Sequence, residues 1–449
     1  MNLHQLLGSR KEAAGPIRVG VIGAGKFASM FFTQIVNMPE IHLVAVADLD
    51  VPKAQEALKR TGWENGRIDA PDVKTAVASG ATTVVDDALT VIHAAEIEVV
   101  LEITGNPIAG ASHALAAIEH GKHVIMVNVE ADCLIGPILH ERALSAGVVY
   151  SMAYGDQPAL ICELVDWCRT VGYELIAAGK GTKYLPEYRA STPDTVWDFY
   201  GLSERQIESG DFNPKMFNSF LDGTKSAIEM AAVSNATGLS APVDGLAFPP
   251  SSVDDLASVM RPASDGGALS AVGQVEVVSS LRRDGTEIDR NLRWGVYVAF
   301  RAKTEYAARC FGEYGVVTDP SGEFATLYRP YHMIGMELGV SVASAVLRGE
   351  STGSAKRFNA DVVAVAKKDL SPGERLDGEG GYCVVGSITT AEASLRAAAL
   401  PIGLAHDVKV IRDVKAGDVV TWDDVNEPQP STALSLRREL ESAALPHTQ

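Results

Sequence analysis

The residues best able to do chemistry fall in a few short runs. The first is Val19-Gly20-Val21-Ile22-Gly23-Ala24-Gly25-Lys26-Phe27-Ala28, a G-x-G-x-x-A pattern that ends an apolar, strand-like stretch. Gly23 permits a tight turn, Gly25 lets a pyrophosphate approach the backbone, and Ala28 permits close helix–strand packing. Lys26 and Phe27 open the following helix, whose free N–H groups would face the anion. Asp48 stands 20 residues past Ala28, at the end of the second strand-like stretch. A carboxylate there can accept both ribose hydroxyls of NAD and repel the extra phosphate of NADP, and Asp50 strengthens that repulsion. The same side chain could simply cap the next turn. The expected cofactor is NAD in preference to NADP.

Two later runs should complete a cofactor crevice, because ligands of open α/β sheets lie outside the carboxyl ends of the strands. After Ile103 come Thr104-Gly105-Asn106-Pro107, a turn suited to backbone contact with the nicotinamide-side ribose. After Val127 come Asn128-Val129-Glu130-Ala131-Asp132. Thr104, Gly105, Asn128 and Glu130 are therefore candidate cofactor contacts, with turn and N-cap chemistry as the plainer role for Asn128 and Glu130.

A second set lies further on. Ala177-Ala178-Gly179-Lys180-Gly181-Thr182-Lys183 follows the strand-like run Tyr173–Ile176. A lysine between glycines at a strand end is sterically open and could protonate or polarise a substrate oxygen. Asp222 and Thr224 suit a helix start, and Asn235 with Gly238 its end. Ala227, Ile228, Ala231 and Ala232 make an apolar stripe, while Lys225 and Glu229, four apart, share a face. Lys before Glu is the weaker order for helix pairing, so Lys225, Glu229 and Asn235 could instead grip a polar substrate. Arg329 and His332 open what reads as a long helix, Tyr331–Leu347, and would make an anion or carbonyl site there. No histidine pair has metal-ligand spacing on a helix, and whether a divalent metal takes part stays open.

The elements that must position these residues separate into three regions. Apolar runs at Ile17–Ile22, Ile41–Ala47, Ile97–Ile103, His123–Val127 and Val148–Ser151 alternate with helical stretches such as Phe27–Val36, the signature of β-α-β units. This gives an α/β dinucleotide-binding domain over 16–155, closed by the helix 331–348. Residues 156–330 mix one strong helix, short strands and long Pro/Gly/Ser-rich stretches (Ala241–Ser252, Arg261–Gly273), as in active-site lids or subunit contacts. That region reads as an α+β catalytic and dimerisation domain. After a Gly/Ser-rich break at Arg348–Ser354, residues 358–427 read as a compact, turn-rich β module, and Pro428–Gln449 as a polar tail with one short helix.

Composition bounds the partners. The chain has 449 residues, 46% of them hydrophobic and 21% charged, which fits a globular fold of several domains. Lys and Arg number 39 against 57 Asp and Glu, a net charge of −18 that disfavours nucleic acid and anionic membrane. Five scattered cysteines without a C-x-x-C read as reduced thiols, and the N-terminus lacks a signal-peptide core, so a cytoplasmic location is expected. The expected partners are a small-molecule substrate and further copies of the chain, as a dimer or tetramer.

With these runs in hand, the chain resembles a known family. Gly121-Lys122-His123-Val124 leading into Asn128-Val129-Glu130 resembles a homoserine-dehydrogenase-type NAD-binding domain. The set Asn128–Asp132, Gly155-Asp156-Gln157-Pro158, Ala178–Gly181, Asp222–Gly238 and Arg329–His332 is similar to the deoxyxylulose-phosphate reductoisomerase-like oxidoreductases. Val363–Glu374, Pro401-Ile402-Gly403-Leu404 and Lys415-Ala416-Gly417-Asp418 resemble an SAF (β-clip) domain. The resemblance implies a Rossmann domain, a catalytic domain bearing Lys180 and the Lys225/Glu229 helix, and an SAF domain. It also implies reduction of a sugar-phosphate carbonyl coupled to rearrangement of its carbon skeleton, with NADPH and a divalent metal, whereas Asp48 points to NAD.

The reading is an NAD(P)-dependent oxidoreductase acting on a small polyhydroxylated or phosphorylated carbonyl or alcohol. Lys180 or Lys225 would be the acid/base, Glu229 would orient it, and Arg329 would clamp an anionic end. A plain homoserine-dehydrogenase-like dehydrogenase, a non-catalytic NAD-sensing protein and an SAF-type lyase are the competing readings.

Overall fold

Continuous runs of Val, Ile, Leu and Ala, without polar alternation, make strands that are buried on both faces. In the computed structural model, which describes residues 2–201, 205, 207 and 213–444, six such strands form a parallel sheet. They are β1 (Ile17–Ile22), β2 (Ile41–Ala47), β3 (Thr83–Val85), β4 (Val99–Glu102), β5 (His123–Met126) and β6 (Tyr150–Met152). Their order is β3-β2-β1-β4-β5-β6. The strand order reverses between β1 and β4, which is where such a sheet opens a ligand crevice. The strand β3 was missed in the sequence because it is only three residues long.

Helices connect the strands: α1 (Leu3–Ala14) ahead of β1, then α2 (Lys26–Ile35), α3 (Val51–Arg60), α4 (Val73–Ser79), α5 (Ala88–His93), α6 (Pro107–Glu119) and α7 (Val129–Ala146). Apolar residues of α2 (Phe31, Phe32) meet Val19, Val21, Leu43 and Leu101 of the sheet in one core. The chain forms two compact units. The first holds this sheet, residues up to Glu163, together with His332–Lys356 and Ser435–Leu440.

The second unit contains Leu164–Tyr331 and Arg357–Leu434. Its main sheet has the order β10-β9-β7-β8, with β7 (Glu174–Thr182), β8 (Gln274–Ser279), β9 (Val296–Arg301) and β10 (Phe324–Arg329). β7 and β8 run parallel, and β9 runs antiparallel to β7 and β10. Two small antiparallel pairs follow, β11 (Ala360–Ala366) with β13 (Val384–Thr390), and β12 (Arg375–Asp377) with β14 (His406–Lys409). The helix Thr224–Thr237 packs against β7 and β8 and also against β11 and β13. Sheets on more than one side leave it little exposed surface: eleven of its 14 residues are buried, polar ones such as Ser226, Glu229 and Asn235 among them, so it carries no simple apolar stripe.

Three sequence expectations change. The long helix begins at Gly339 rather than Tyr331 and runs to Arg348. Tyr331, Ile334, Gly335 and Leu338 have helical spacing, but Gly335 takes φ +79°, and a Cβ there would lie 2.5 Å from the carbonyl oxygen of Phe27. Residues 332–338 thus lie as irregular chain over the first turn of α2. The run Tyr173–Ile176 is part of a longer strand that continues through Lys180 to Thr182. The tail forms a 13-residue helix, Thr432–Ala444, and its residues 445–449 lie outside the described part. Among the described residues, no helix is long and apolar enough to cross a membrane.

Candidate active site

In the first unit the glycine-rich turn follows from local sterics. Gly23 has φ +97°, and a Cβ on it would stand 3.0 Å from the carbonyl group of Ile103 and the amide of Thr104. Only glycine fits that position. A Cβ on Gly25 would meet nothing within 4 Å, so the turn leaves open space at the start of α2, where a pyrophosphate would approach. Gly25 is the N-cap of α2 and offers no side-chain cap, so the free N–H groups of that turn are left for a ligand. Lys26 is exposed there, Phe27 is half-buried, and Ala28 is buried against the sheet.

Asp48 stands at the end of β2. Its Oδ2 accepts from the Ala24 amide at 2.7 Å and its Oδ1 from the Asp50 amide at 3.0 Å. Asp50 in turn caps α3 through Lys53. The carboxylate is therefore both a turn-former and a fixed negative charge beside the glycine-rich loop. The donor set fits a dinucleotide: an open helix N-terminus, a glycine cradle and a carboxylate at the end of β2.

Beyond β4 and β5 the expected residues are present but differently employed. Thr104 and Gly105 are accessible at the β4 end. The Asn128 amide is saturated: Nδ2 donates to Glu102 Oε2 at 2.9 Å and to the Asn106 carbonyl at 2.9 Å, while Oδ1 accepts from Ala131. Asn128 is thus an N-cap and a tether between loops rather than a free side-chain contact for cofactor. Glu130 is half-buried in the first turn of α7, a favourable place for a carboxylate. Deeper in that turn, burial pushes the carboxyl of Asp132 up to about 7, although the Tyr150 hydroxyl donates to its Oδ1 at 2.8 Å.

The second unit carries the other cluster. Lys180 is inside β7, 4% exposed, rather than on an open loop after it. Its glycine neighbours serve the sheet: a Cβ on Gly179 would fall 1.7 Å from the carbonyl of Glu276, and one on Gly181 2.0 Å from that of Leu292. Lys180 Nζ donates to Glu229 Oε2 from the helix Thr224–Thr237, forming a buried ion pair. Glu229 therefore pairs with Lys180, and Lys225 sits half-buried in the first turn of the same helix. Asn235 is occupied elsewhere. Its Oδ1 accepts from the amides of Asn359 and Ala360, and its Nδ2 donates to the Ala360 carbonyl, so it clamps the entry to β11.

Arg329 and His332 are not together at a helix start. Arg329 is the last residue of β10, its guanidinium 5.1 Å from the Tyr331 ring, and His332 belongs to the irregular return into the first unit. Arg329 does share one end of the sheet with two cations that the sequence reading passed over. A Cβ on Gly181 would lie 3.0 Å from the Arg293 amide, and one on Gly295 2.2 Å from the Arg329 carbonyl. Lys183, just past the end of β7, donates to the Phe199 carbonyl, and Arg293 lies over the Trp294 ring at 4.7 Å. Burial, with Arg293 nearby, lowers the Lys183 pKa; exposed Glu287 opposes it. Neither Lys183 nor Arg293 makes an ion pair among the described residues. Nothing local joins them in sequence, which is why they were missed. Glu102 was missed too, although a carboxylate ending the apolar run Val99-Val100-Leu101 was a legible signal.

Two family models match the chain. One, described as an oxidoreductase family with NAD-binding Rossmann fold, covers residues 17–126. The other, described as oxidoreductase DRL, catalytic domain, covers 155–338 and so takes in β7, Lys180 and Glu229. Both models describe oxidoreductase domains. No curated protein matches the chain in sequence. Solved structures similar to parts of it include a mutant of KijD10, a 3-ketoreductase from Actinomadura kijaniata in complex with TDP-benzene and NADP (16% identity, 38% of this chain and 48% of that one, TM-score 0.24). An NAD-binding oxidoreductase from Klebsiella pneumoniae matches at 21% identity over 39% and 47%, TM-score 0.26. A myo-inositol dehydrogenase from Corynebacterium glutamicum matches at 13% over 40% and 48%, TM-score 0.28. The chain spans about half the length of these structures.

Proposed function

We propose that the chain is an NAD(P)-dependent oxidoreductase that prefers NAD and acts on a small polyhydroxylated carbonyl or alcohol bearing an anionic end, with Lys180 as the acid/base. The observation that carries this is the buried Lys180–Glu229 pair. A charged pair taken out of water costs several kcal/mol in desolvation. A proton-transfer group held in a dry site is one role that compensates for that cost. Bound nicotinamide would supply or accept the hydride. Lys180 Nζ would hold the proton that the substrate oxygen gains on reduction or loses on oxidation, and Glu229 would fix the ammonium and stabilise its charge. Lys183 and Arg293, with Arg329 on the same sheet end, would hold the anionic group in spite of the net negative charge of the chain. The fixed Asp48 carboxylate supports NAD, since the extra phosphate of NADP would meet its charge.

The match to the DRL catalytic domain favours a second reading, in which reduction is coupled to rearrangement of the carbon skeleton. The metal that such chemistry implies finds no ready ligand set: among the described residues, no three His, Cys, Asp or Glu side chains gather for one. The module of β11–β14 is compatible with the β-clip reading, its two small antiparallel pairs being tied by bridges such as Val363 to Pro401.

The test is a screen of sugar acids, sugar phosphates and hydroxy acids followed at the nicotinamide absorbance, after fluorescence titration with NADH and NADPH. NADH should bind tighter, and a tenfold preference for NADPH would remove the Asp48 argument. Lys180→Met should abolish turnover with NADH binding intact, and Lys183→Met or Arg293→Gln should raise KM about tenfold or more for anionic substrates. Full activity of Lys180→Met would refute the assigned chemistry.

A further inference from the structure

At the carboxyl end of β4, a buried carboxylate gathers three side chains from separate segments. Glu102 has none of its surface exposed. Its Oε1 accepts from the Thr104 hydroxyl at 2.5 Å, and its Oε2 accepts from Asn128 Nδ2 at 2.9 Å. His113 of α6 places Nδ1 3.2 Å from Oε1, and since a carboxylate can only accept, that nitrogen carries a hydrogen. Asn128 Nδ2 also reaches the Asn106 carbonyl, so the loop after β4, the first half of α6 and the start of α7 are tied to one side chain.

The sheet topology gives this cluster its meaning. Asp48 and the glycine-rich turn lie on β2 and β1, one side of the reversal point, and β4 and β5 lie on the other. A dinucleotide laid across that point puts its adenosine half on the β2 side and its nicotinamide half on the β4 and β5 side. The loops that Glu102 ties together are those that would floor the nicotinamide half.

We infer that Glu102 is a positioning residue for the nicotinamide half of the cofactor, acting through Thr104 and Asn128. The inference rests on the crevice being the dinucleotide site. Glu102 does not need to touch the cofactor. It fixes the Thr104–Asn106 turn against the Asn128 cap, so that backbone groups of both loops present one geometry to the ribose and carboxamide. Glutamine serves less well: with its oxygen toward Thr104 and His113 its NH2 meets the Asn128 donor, and with its oxygen toward Asn128 it gives up the charge-assisted bonds from Thr104 and His113.

The experiment compares ADP with NADH on the full chain. Glu102→Gln is expected to weaken NADH binding about tenfold while ADP binding changes less than about twofold. Thr104→Val, at a half-buried position that is easier to substitute, should shift NADH binding in the same direction. The double variant should be no worse than Glu102→Gln alone, because both changes break one coupling. Equal weakening of ADP and NADH would make Glu102 a general structural support and overturn the inference, as would NADH binding unchanged in both variants. Wild-type protein that binds neither NADH nor ADP would overturn the dinucleotide reading itself. Loss confined to NADH in the variants supports both.

Discussion

Breaking the Lys180–Glu229 pair tests the geometry and the chemistry together. The two side chains are 6% and 3% exposed, so each partner has lost nearly all its hydration and depends on the other. Removing one leaves a buried charge, at a cost of about 3–5 kcal/mol. Against a total stability of about 5–15 kcal/mol, that is a large fraction. With about 2–4 °C per kcal/mol for a unit of this size, Glu229→Gln should lower the melting temperature by about 6–20 °C. Lys180→Met should cost a similar amount. Replacing both, Lys180→Met with Glu229→Gln, leaves no charge behind and should cost much less than the sum of the single changes. A coupling of about 2 kcal/mol or more is expected. Calorimetric melting of the four proteins reads this cycle directly. Single losses below about 1 kcal/mol that simply add would be the behaviour of a solvated surface pair. That result would refute the buried pair and take the acid/base assignment with it.

Two further predictions concern the first unit. The Asp132 carboxyl is raised from 3.8 to about 7 by burial, and its Oδ2 has no hydrogen-bond partner among the described residues. An acid with a raised folded-state pKa stabilises the fold fully below its unfolded value and loses that contribution as pH rises through the folded one. The loss here falls between about pH 4 and 7 and amounts to about 4 kcal/mol at most. Asp132→Asn should thus match wild type at pH 4 and be the more stable at pH 8, and an equal difference at both pH values would contradict the burial argument. Gly23→Ala forces a side chain into a left-handed backbone only 3.0 Å from the Ile103 carbonyl. NADH binding should fall at least about tenfold, whereas unchanged fluorescence titration would show that the turn is not the cofactor cradle.

The dinucleotide unit was legible because its signals are local. Glycines at 23 and 25 act on their own backbone, Asp48 follows at a fixed distance along a β-α-β unit, and both-face burial writes strands as unbroken apolar runs. The same locality misled at Tyr331–Leu338, where apolar residues at helical spacing pack as irregular chain because Gly335 must approach the backbone of α2. It misled again at Gly179 and Gly181, whose smallness suggested an open lysine but serves close strand packing. Asn128 and Asn235 were rightly singled out as polar residues at element ends. Their amides are nonetheless consumed by backbone and carboxylate partners up to 125 residues away.

By itself the sequence determined the glycine-rich turn, the carboxylate at the end of β2, the alternation of strands and helices around them and the existence of a second region around Lys180. Those follow from short-range sterics, periodicity and residue type. The tertiary structure decided which groups face one another. Lys180 meets Glu229 across 49 positions, Lys183 shares a sheet end with Arg293, and Glu102 ties Thr104 to His113 and Asn128. Such pairings depend on strand register and on which face of a buried helix meets the sheet. Both are set by packing the whole core, so no window of the sequence contains them.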